Sequence, residues 1–194
     1  MGYSVSLKPN IFNSAGVIPP VDPHDGTSVK RSPYKLPITE FIDLFSYTNE
    51  RRNILNGFLQ YRAELYKVGI VSGYQWLDGS FTTDIETLEE RPPSDIDVVT
   101  FFNLPQDETQ ASFLPKTGDL LKTKFTKSEF KVDAYPVILG QNLTPELIAR
   151  ITYWYSMWSH RKSDNMWKGF IQVELSPQED AAAFNILTQN GGIA

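Results

Sequence analysis

The segment that most restricts the fold is an eight-residue stretch in the middle of the chain, Asp95-Ile96-Asp97-Val98-Val99-Thr100-Phe101-Phe102. Its run of β-branched and aromatic residues predicts a strand. Asp95 and Asp97 are two residues apart, so both carboxylates project from the same face of the sheet. Two like charges this close need a compensating cation or a shifted pKa. The pattern therefore predicts a sheet that carries paired carboxylates.

The rest of the chain alternates between helical and extended patterns, which is typical of one α/β domain. Apolar residues at helical spacing predict two helices between residues 39 and 68, separated near residues 46–49. Further helices are expected at 144–159 and 177–189, and strands at 70–77, 95–102, 130–139 and 169–175. Pro136 favours an edge or a bulge for its strand. Residues 1–37, rich in Pro, Asn, Ser and Gly, predict an extended N-terminal arm packed on a single domain at 38–194.

The negative charge of the chain is concentrated in one place. The formal net charge is −5, and residues 84–97 hold six acidic residues against one arginine, so the remaining residues sum to zero. A basic surface over the whole protein, as a general nucleic-acid binder needs, is therefore excluded. The chain has no cysteine, which excludes disulfides, thiolate zinc sites and cysteine nucleophiles. Only two histidines are present, which argues against a histidine-rich metal site.

The sequence carries no strong targeting signal. No stretch reaches the roughly 18 apolar residues of a membrane helix, and the first 16 residues lack the apolar core of a signal peptide. The absence of cysteine is compatible with a reducing compartment. We therefore expect a cytoplasmic protein that does not associate with a membrane.

A third carboxylate lies in another predicted strand. Asp133 is flanked by Val132 and Ala134, in a position where an apolar residue is expected if that face belongs to the core. Three carboxylates that converge from two neighbouring strands form the oxygen-rich arrangement that one or two Mg²⁺ ions require. The alternative is structural: Asp95 begins the strand as a turn residue, Asp97 faces solvent and Asp133 lies on an exposed edge. The spacing alone leaves both interpretations open.

A short turn upstream offers a contact for phosphate. Gly79-Ser80 follows a predicted strand, and a Gly-Ser turn that enters a helix presents backbone amides and a hydroxyl to a phosphate group. The cationic candidates for the same phosphate are Arg51, Arg52, Arg161 and Lys168. A solvated surface charge is the more common role for each of them.

Three short motifs together resemble the signature of the DNA polymerase β nucleotidyltransferase superfamily: Leu77-Asp78-Gly79-Ser80, Asp95-Ile96-Asp97-Val98-Val99 and Val132-Asp133-Ala134. The resemblance implies an α/β (α+β) fold in which helices flank a mixed sheet. It also implies that Gly79 and Ser80 bind the triphosphate of a nucleotide, with Ser80 at its β- and γ-phosphates. Asp95 and Asp97 would ligate two Mg²⁺ ions, for which Mn²⁺ can substitute, and Asp133 would ligate the catalytic ion. The expected catalytic residues are therefore Asp95, Asp97 and Asp133.

The similarity extends to a family of small bacterial nucleotidyltransferase-like proteins whose substrate is not assigned. Further residues that carry it are Phe12, Gly16-Val17-Ile18-Pro19-Pro20, Arg52, Tyr153-Trp154, Arg161 and Lys168-Gly169. The implied reaction transfers a nucleoside monophosphate from an NTP or dNTP to an acceptor hydroxyl of RNA, a nucleotide or a protein, and releases pyrophosphate. Arg161 and Lys168 are then additional triphosphate ligands.

Two biological settings follow by analogy. One is an active enzyme in bacterial antiviral defence or in a toxin–antitoxin system, with a protein partner from the same operon. The alternative is a catalytically silent binding module of the same fold, which acts as an antitoxin or a regulatory subunit.

Three segments depart from the signature or admit two interpretations. Fourteen residues separate Ser80 from Asp95, more than is usual in the superfamily, and the surplus is the acidic stretch 84–90. This stretch is expected to be a solvated loop, or else to cover the nucleotide. The lysine-rich segment 116–131 predicts a solvated helix face, or else guides a polyanionic acceptor. The aromatic run at 153–158 fits a core helix better than a surface that stacks on a base.

Overall fold

The computed structural model describes residues 11–140 and 142–191, which form a five-stranded mixed sheet with helices on both faces. The strands are β1 (Tyr34–Lys35), β2 (Gly73–Asp78), β3 (Ile96–Asn103), β4 (Val132–Leu139) and β5 (Ile171–Glu174). Their order in the sheet is β1-β5-β2-β3-β4. β2 runs antiparallel to its neighbours β3 and β5. The other two pairs are parallel: β3 with β4, and β1 with β5.

Seven α-helices lie within these ranges. They are α1 (Ile38–Phe45), α2 (Asn49–Lys67), α3 (Ile85–Leu88), α4 (Gln110–Phe113), α5 (Thr123–Phe130), α6 (Pro145–Trp158) and α7 (Pro177–Gln189). Thr48, Thr144 and Ser176 cap α2, α6 and α7, since each side chain accepts a hydrogen bond from a backbone amide of the first turn. The predicted break near residues 46–49 and the two predicted C-terminal helices are confirmed. None of the described helices is long and apolar enough to cross a membrane.

The sheet separates two hydrophobic cores. α1, α2, α5 and α7 pack on one face, together with Ile96, Val98 and Phe102 of β3. The other face carries an aromatic cluster under α6, made of Trp76, Phe101, Trp154, Trp158 and Phe170 with Val99 and Val137. The alternation along β3 assigns its odd-numbered residues to the α6 face. Trp154 and Trp158 are buried, which confirms the predicted core position for these two residues, whereas Tyr153 and Tyr155 are exposed.

Two predicted strand boundaries are wrong by a few residues. β2 begins at Gly73 and not at residue 70, because the amide of Ile70 donates to the Leu65 carbonyl and still belongs to the end of α2. The segment before β4 is helical through Phe130, and Lys131 ends α5 in the left-handed conformation with φ 57°. β4 therefore starts at Val132, and it lies at the edge of the sheet, as Pro136 predicts.

Part of the chain that precedes α1 packs on the domain, whereas residues around Val29 are exposed. Val17 and Ile18 are buried, and the carbonyl of Ile18 accepts a hydrogen bond of 2.7 Å from the amide of Gly169. β1 pairs with β5 at one edge of the sheet. Residues 1–10 lie outside the described residues. The extent of an N-terminal arm over 1–37, and the domain boundary at residue 38, therefore stay predictions.

A buried arginine ties the sheet to the helices of the larger core. Arg62 of α2 is fully buried and forms two hydrogen bonds of 2.6 Å with the two carboxylate oxygens of Asp180 in α7. It also donates to the Gln75 side chain of β2 at 2.6 Å and to the Glu174 carbonyl of β5 at 2.8 Å. One side chain therefore connects two helices and two strands, in the bidentate geometry that makes arginine pairs strong.

We expect Arg62→Met to lower the free energy of unfolding by about 3–5 kcal/mol, because it leaves Asp180 buried without its cation while keeping much of the side-chain volume. Urea denaturation of the two proteins measures this difference. Lys67→Ala is the control: it removes an exposed pair with Glu64 and should change stability by less than about 0.5 kcal/mol. Equal losses in the two variants would contradict a special role for the buried pair.

Candidate metal and nucleotide site

Strand pairing places three aspartates side by side on the α6 face of the sheet. Asp78 at the end of β2 lies opposite Asp97 of β3, and Asp97 lies opposite Asp133 of β4. In the antiparallel pair of β2 and β3, directly opposite residues have Cβ atoms about 4.5–5.5 Å apart. We call Asp78, Asp97 and Asp133 the carboxylate row. Asp95 precedes β3 and is also buried, so four carboxylates lie near this end of the sheet.

The electrostatics of the row act most strongly on its central member. The pKa of Asp97 is raised from 3.8 to about 7. Burial is the largest cause, followed by the negative charges of Asp78, Asp133 and Asp95, and the charge of Lys127 opposes the shift. No described residue donates a side-chain hydrogen bond to the Asp97 carboxylate. Its charged form is therefore costly in the protein without a bound cation.

Two lysines neutralise the outer carboxylates. Lys127 of α5 lies 2.6 Å from Asp95 Oδ2 and 3.0 Å from Asp133 Oδ2. Its pKa is raised, first by the hydrogen bond to Asp95. On the other side of the row, the buried Lys168 lies 2.5 Å from Asp78 Oδ1, yet the pKa of Asp78 is still raised because burial outweighs the lysine. Asp97 thus lies between two ion pairs and belongs to neither.

The donor set fits a hard divalent cation, although the side chains as placed do not enclose one. Carboxylate oxygens are the ligands that Mg²⁺ prefers. Asp133 Oδ1 is buried and has no hydrogen-bond partner among the described residues. However, no three acidic or histidine side chains of the described ranges are arranged to hold one metal ion. Lys127 lies between Asp95 and Asp133, so an ion bound to both carboxylates would have to displace its ammonium group.

The turn after β2 brings a glycine against the row. Gly79 has φ 84° and ψ −161°, a combination that is essentially restricted to glycine. A Cβ atom at this position would lie 1.9 Å from Asp97 Oδ2. Ser80 follows, and its hydroxyl has no side-chain hydrogen bond within the described part of the chain. The turn leads into a short 3₁₀ helix, Ser80–Thr82, so the predicted phosphate contact rests on the turn and the hydroxyl.

Arg51 supports this turn from the other core. It is fully buried and donates to the carbonyls of Phe81 at 2.7 Å and Thr83 at 2.9 Å, and to Glu86 at 2.6 Å. These contacts occupy its guanidinium, so the suggested role of Arg51 as a phosphate ligand is wrong. The solvated loop expected at 84–90 is also wrong in part, because Glu86 is the partner of Arg51 and Ile85 is buried in α3.

The other predicted cations take different positions. Arg161 pairs with Asp164 at 2.6 Å and donates to the Ala15 carbonyl at 3.0 Å. Arg52 donates to the Ser46 carbonyl at 2.7 Å and to Asn49. Neither contacts the carboxylate row in the described structure. Lys168 does reach it, through Asp78, and also lies 3.3 Å from the Gly79 carbonyl. Their roles at a triphosphate stay predictions.

Sequence reasoning missed two members of this site. Asp78 stands in the motif around Gly79, but only the register of β2 against β3 makes it a neighbour of Asp97. Lys127 lies in a segment with five lysines, and no spacing rule distinguishes it from the others. Its contact depends on how α5 returns the chain to β4. A pairing prediction for β2 and β3 would have found Asp78.

The raised pKa of Asp97 predicts how stability depends on pH. Between about pH 4 and pH 7 the folded protein keeps a proton on Asp97 that the unfolded chain has lost. The free energy of unfolding in the presence of a chelator should therefore fall as the pH rises through this range, by a few kcal/mol in total.

Urea denaturation at a series of pH values measures this slope. Asp97→Asn should be more stable than the native protein at pH 7 and should lose most of the slope. Asp119→Asn, which changes an exposed aspartate, serves as the control and should keep the slope. A native protein whose stability is flat or rises from pH 4 to pH 7 would contradict the raised pKa.

Gly79→Ala should destabilise the protein by at least about 1–3 kcal/mol, because the backbone conformation is strained for any L-residue and the new Cβ meets Asp97. The thermal unfolding midpoint measures the loss. Shortening the partner by Asp97→Ala should reduce the cost of Gly79→Ala, since only the backbone strain remains. Gly26→Ala, at an unobstructed position, should be close to neutral. Equal costs of Gly79→Ala in both backgrounds would show that the contact with Asp97 has no energetic weight.

Comparison with known proteins places the chain in a family without adding an activity. Neither the curated proteins nor the solved structures give a match to the chain. A family model, described as a family of unknown function (DUF6932), matches residues 10–174. This range includes the carboxylate row, Asp95, the Gly79 turn and both lysines. Because the match covers most of the sequence, the chain belongs to this family of unknown function, DUF6932.

Proposed function

We propose that the protein is a metal-dependent nucleotidyltransferase, which moves a nucleoside monophosphate from an NTP or dNTP to an acceptor hydroxyl and releases pyrophosphate. The observation that carries the proposal is the position of the carboxylate row beside a glycine turn, where the Asp97 carboxylate is in close contact with Gly79. Like charges directly opposite each other destabilise a sheet. Such an arrangement at a sheet end is therefore expected to have a functional reason.

The chemistry of the donors supports a magnesium site. Asp95, Asp97 and Asp133 would hold two Mg²⁺ ions, or Mn²⁺ in their place, and Asp133 would bind its ion through Oδ2, the oxygen that Lys127 contacts. When bound, these ions would supply Lewis-acid stabilisation of the negative charge on the transferring phosphoryl group and the leaving pyrophosphate.

The protein's own groups would bind and orient the substrates. The Ser80 hydroxyl contacts the β- and γ-phosphates, and the absence of a side chain at Gly79 lets the nucleotide approach the turn closely. Lys168, with its ammonium 3.3 Å from the Gly79 carbonyl, adds positive charge beneath the phosphates. Asp133 Oδ1 takes the proton of the acceptor hydroxyl as the new oxygen–phosphorus bond forms. The bond from the α-phosphorus to the bridging oxygen breaks, and its electron pair leaves with pyrophosphate.

The ion pairs of the site support a second candidate function, a catalytically silent binding module. Lys127 already neutralises Asp95 and Asp133, and Lys168 neutralises Asp78. A site whose carboxylates are satisfied by lysines can persist without metal. Such a module would bind a nucleotide or a partner through the same end of the sheet without transferring a group.

Binding and turnover together separate the two candidates. We expect calorimetry to detect binding of at least one of ATP, GTP, CTP and UTP, and only with Mg²⁺ present. Incubation with α-labelled triphosphates and RNA, nucleotides or cell protein should transfer the label to one acceptor class. Asp97→Asn should reduce this transfer at least about 100-fold, since the loss of a metal ligand removes several kcal/mol of transition-state stabilisation. The folded state should survive, because the substitution removes charge repulsion.

The control for turnover is Asp119→Asn, an exposed aspartate outside the site, which should keep full activity. Full activity of Asp97→Asn would disprove the proposed metal site. Binding of a triphosphate without any Mg²⁺ requirement, combined with no label transfer, would favour the silent module over the enzyme.

A further inference from the structure

A cleft of about 380 Å³ opens between α2 and α5, next to the candidate site. It is lined by Asp95 and Lys127, which the cleft shares with the candidate site, and by residues of α2 and of the α5–β4 junction. Its volume falls near the lower end of the roughly 300–1,000 Å³ range of small-molecule sites. Apart from Asp95 and Lys127, none of the described residues that line the cleft has a role in the proposed function.

The α2 wall of the cleft is made of carboxamides. Asn53, Asn56 and Gln60 line it at positions i, i+3 and i+7, which places them on one face of the helix. A helix face that meets another helix is ordinarily apolar. Carboxamides instead present a donor and an acceptor side by side in one plane. This face is therefore suited to a planar polar group.

The side chain of Asn56 is not satisfied by the described protein. Its Oδ1 atom is buried and has no hydrogen-bond partner among the described residues. A buried acceptor that lacks a donor costs roughly 1–3 kcal/mol. Asn56 also lines the cleft, so a ligand N–H group that meets this oxygen when the carboxamide turns toward the cleft would recover that energy.

A close helix contact holds the two walls of the cleft in place. A Cβ atom on Gly57 would lie 2.1 Å from the Phe130 carbonyl oxygen, so α2 and α5 approach as closely as glycine permits. Glycine in the interior of a helix costs about 0.5–1 kcal/mol relative to alanine, and here it is required by the packing. The cleft is therefore formed before a ligand arrives, which lowers the cost of binding.

We infer that this cleft binds the base of the acceptor nucleotide, with Asn56 Oδ1 accepting a hydrogen bond from the exocyclic amino group of adenine, cytosine or guanine. Asparagine pairs with base edges in this way. Phe130 offers apolar surface to the base, and the exposed Lys131 lies at the rim, where a nucleotide phosphate would be. The inference rests on the proposed function and names its acceptor: a nucleotide or an RNA end, whose sugar hydroxyl is presented next to Asp95.

A peptide acceptor suits the cleft less well. Peptide grooves combine backbone hydrogen bonds with apolar pockets for alternate side chains. Among the described residues that line the cleft, Phe130 is the only large apolar side chain, and the others are polar, charged or glycine. This composition favours a base over a peptide.

The test uses nucleoside monophosphates with the full chain in the presence of a chelator, so that binding at the metal-dependent triphosphate site does not contribute. Calorimetric titration with AMP, CMP, GMP and UMP should show that at least one amino-bearing base binds about 3- to 10-fold more tightly than UMP, which has no exocyclic amino group. If no monophosphate binds, or if UMP binds as tightly as the other three, the inference is overturned.

Substitution of Asn56 identifies the site. Asn56→Ala should weaken binding of the preferred monophosphate about 3- to 10-fold and remove its advantage over UMP. The variant should unfold at the same or a higher temperature, because it removes a buried unpaired oxygen and alanine favours the helix. Asn103→Ala, at the other end of β3, is the matched control and should bind like the native protein. Unchanged binding in Asn56→Ala would overturn the inference, as would binding of an extended peptide that Asn56→Ala abolishes.

Asp97→Asn distinguishes this inference from the proposed function. It should leave binding of the monophosphate in chelator unchanged while it abolishes Mg²⁺-dependent triphosphate binding. If the monophosphate binds as described but no triphosphate binds with Mg²⁺, the base site stands and the transferase proposal fails. If triphosphates bind and label is transferred to protein alone, the transferase stands and the base site fails.

Discussion

The register of three strands is the constraint on which the site depends. β2, β3 and β4 are paired so that Asp78, Asp97 and Asp133 face one another directly. A shift of β3 by one residue would turn Asp97 into the apolar core beneath α2 and would bring Ile96 and Val98 to the α6 face. The hydrophobic alternation of β3 therefore fixes the carboxylates as well as the core. The protein cannot relieve their repulsion by sliding strands without losing both hydrophobic layers.

Compensation for that repulsion comes from elsewhere in the chain. Lys127 arrives from α5 and Lys168 from the segment before β5, and each pairs with an outer carboxylate of the row. Neither lysine contacts Asp97, and burial together with the neighbouring carboxylates raises its pKa. The two ion pairs reduce the charge repulsion, so the protein can fold without a metal ion. The Asp97 carboxylate alone still needs a proton or a bound cation.

The sequence predicts much of this architecture but not its contacts. The helices at α2, α6 and α7 and the strand around Val98 follow from periodicity and capping, which are local properties. Asp95, Asp97 and Asp133 were identifiable because charged residues interrupt or precede apolar strands. By contrast, Asp78 enters the row through strand register, Lys127 through the packing of α5, and Glu86 through the buried Arg51. Most of these contacts join residues that are far apart in the chain, and none follows a regular spacing. A single sequence therefore contains no pattern that predicts them.

The two lysines differ in exposure, so only one of them can be displaced by an incoming cation. The Lys168 side chain is 4% exposed and is held beneath the turn, whereas that of Lys127 is 52% exposed and ends at the surface. Because the Lys127 ammonium ends at the surface, it can move into water when a cation takes its place beside the two carboxylates, whereas the buried Lys168 cannot. A cation that enters the site would therefore replace Lys127 between Asp95 and Asp133 and leave Lys168 in place. Asp95 and Lys127 also line the cleft between α2 and α5, so the displaceable side of the carboxylate row and the proposed base site share one opening. On the proposed function, metal entry and acceptor binding would then be coupled through the position of a single lysine.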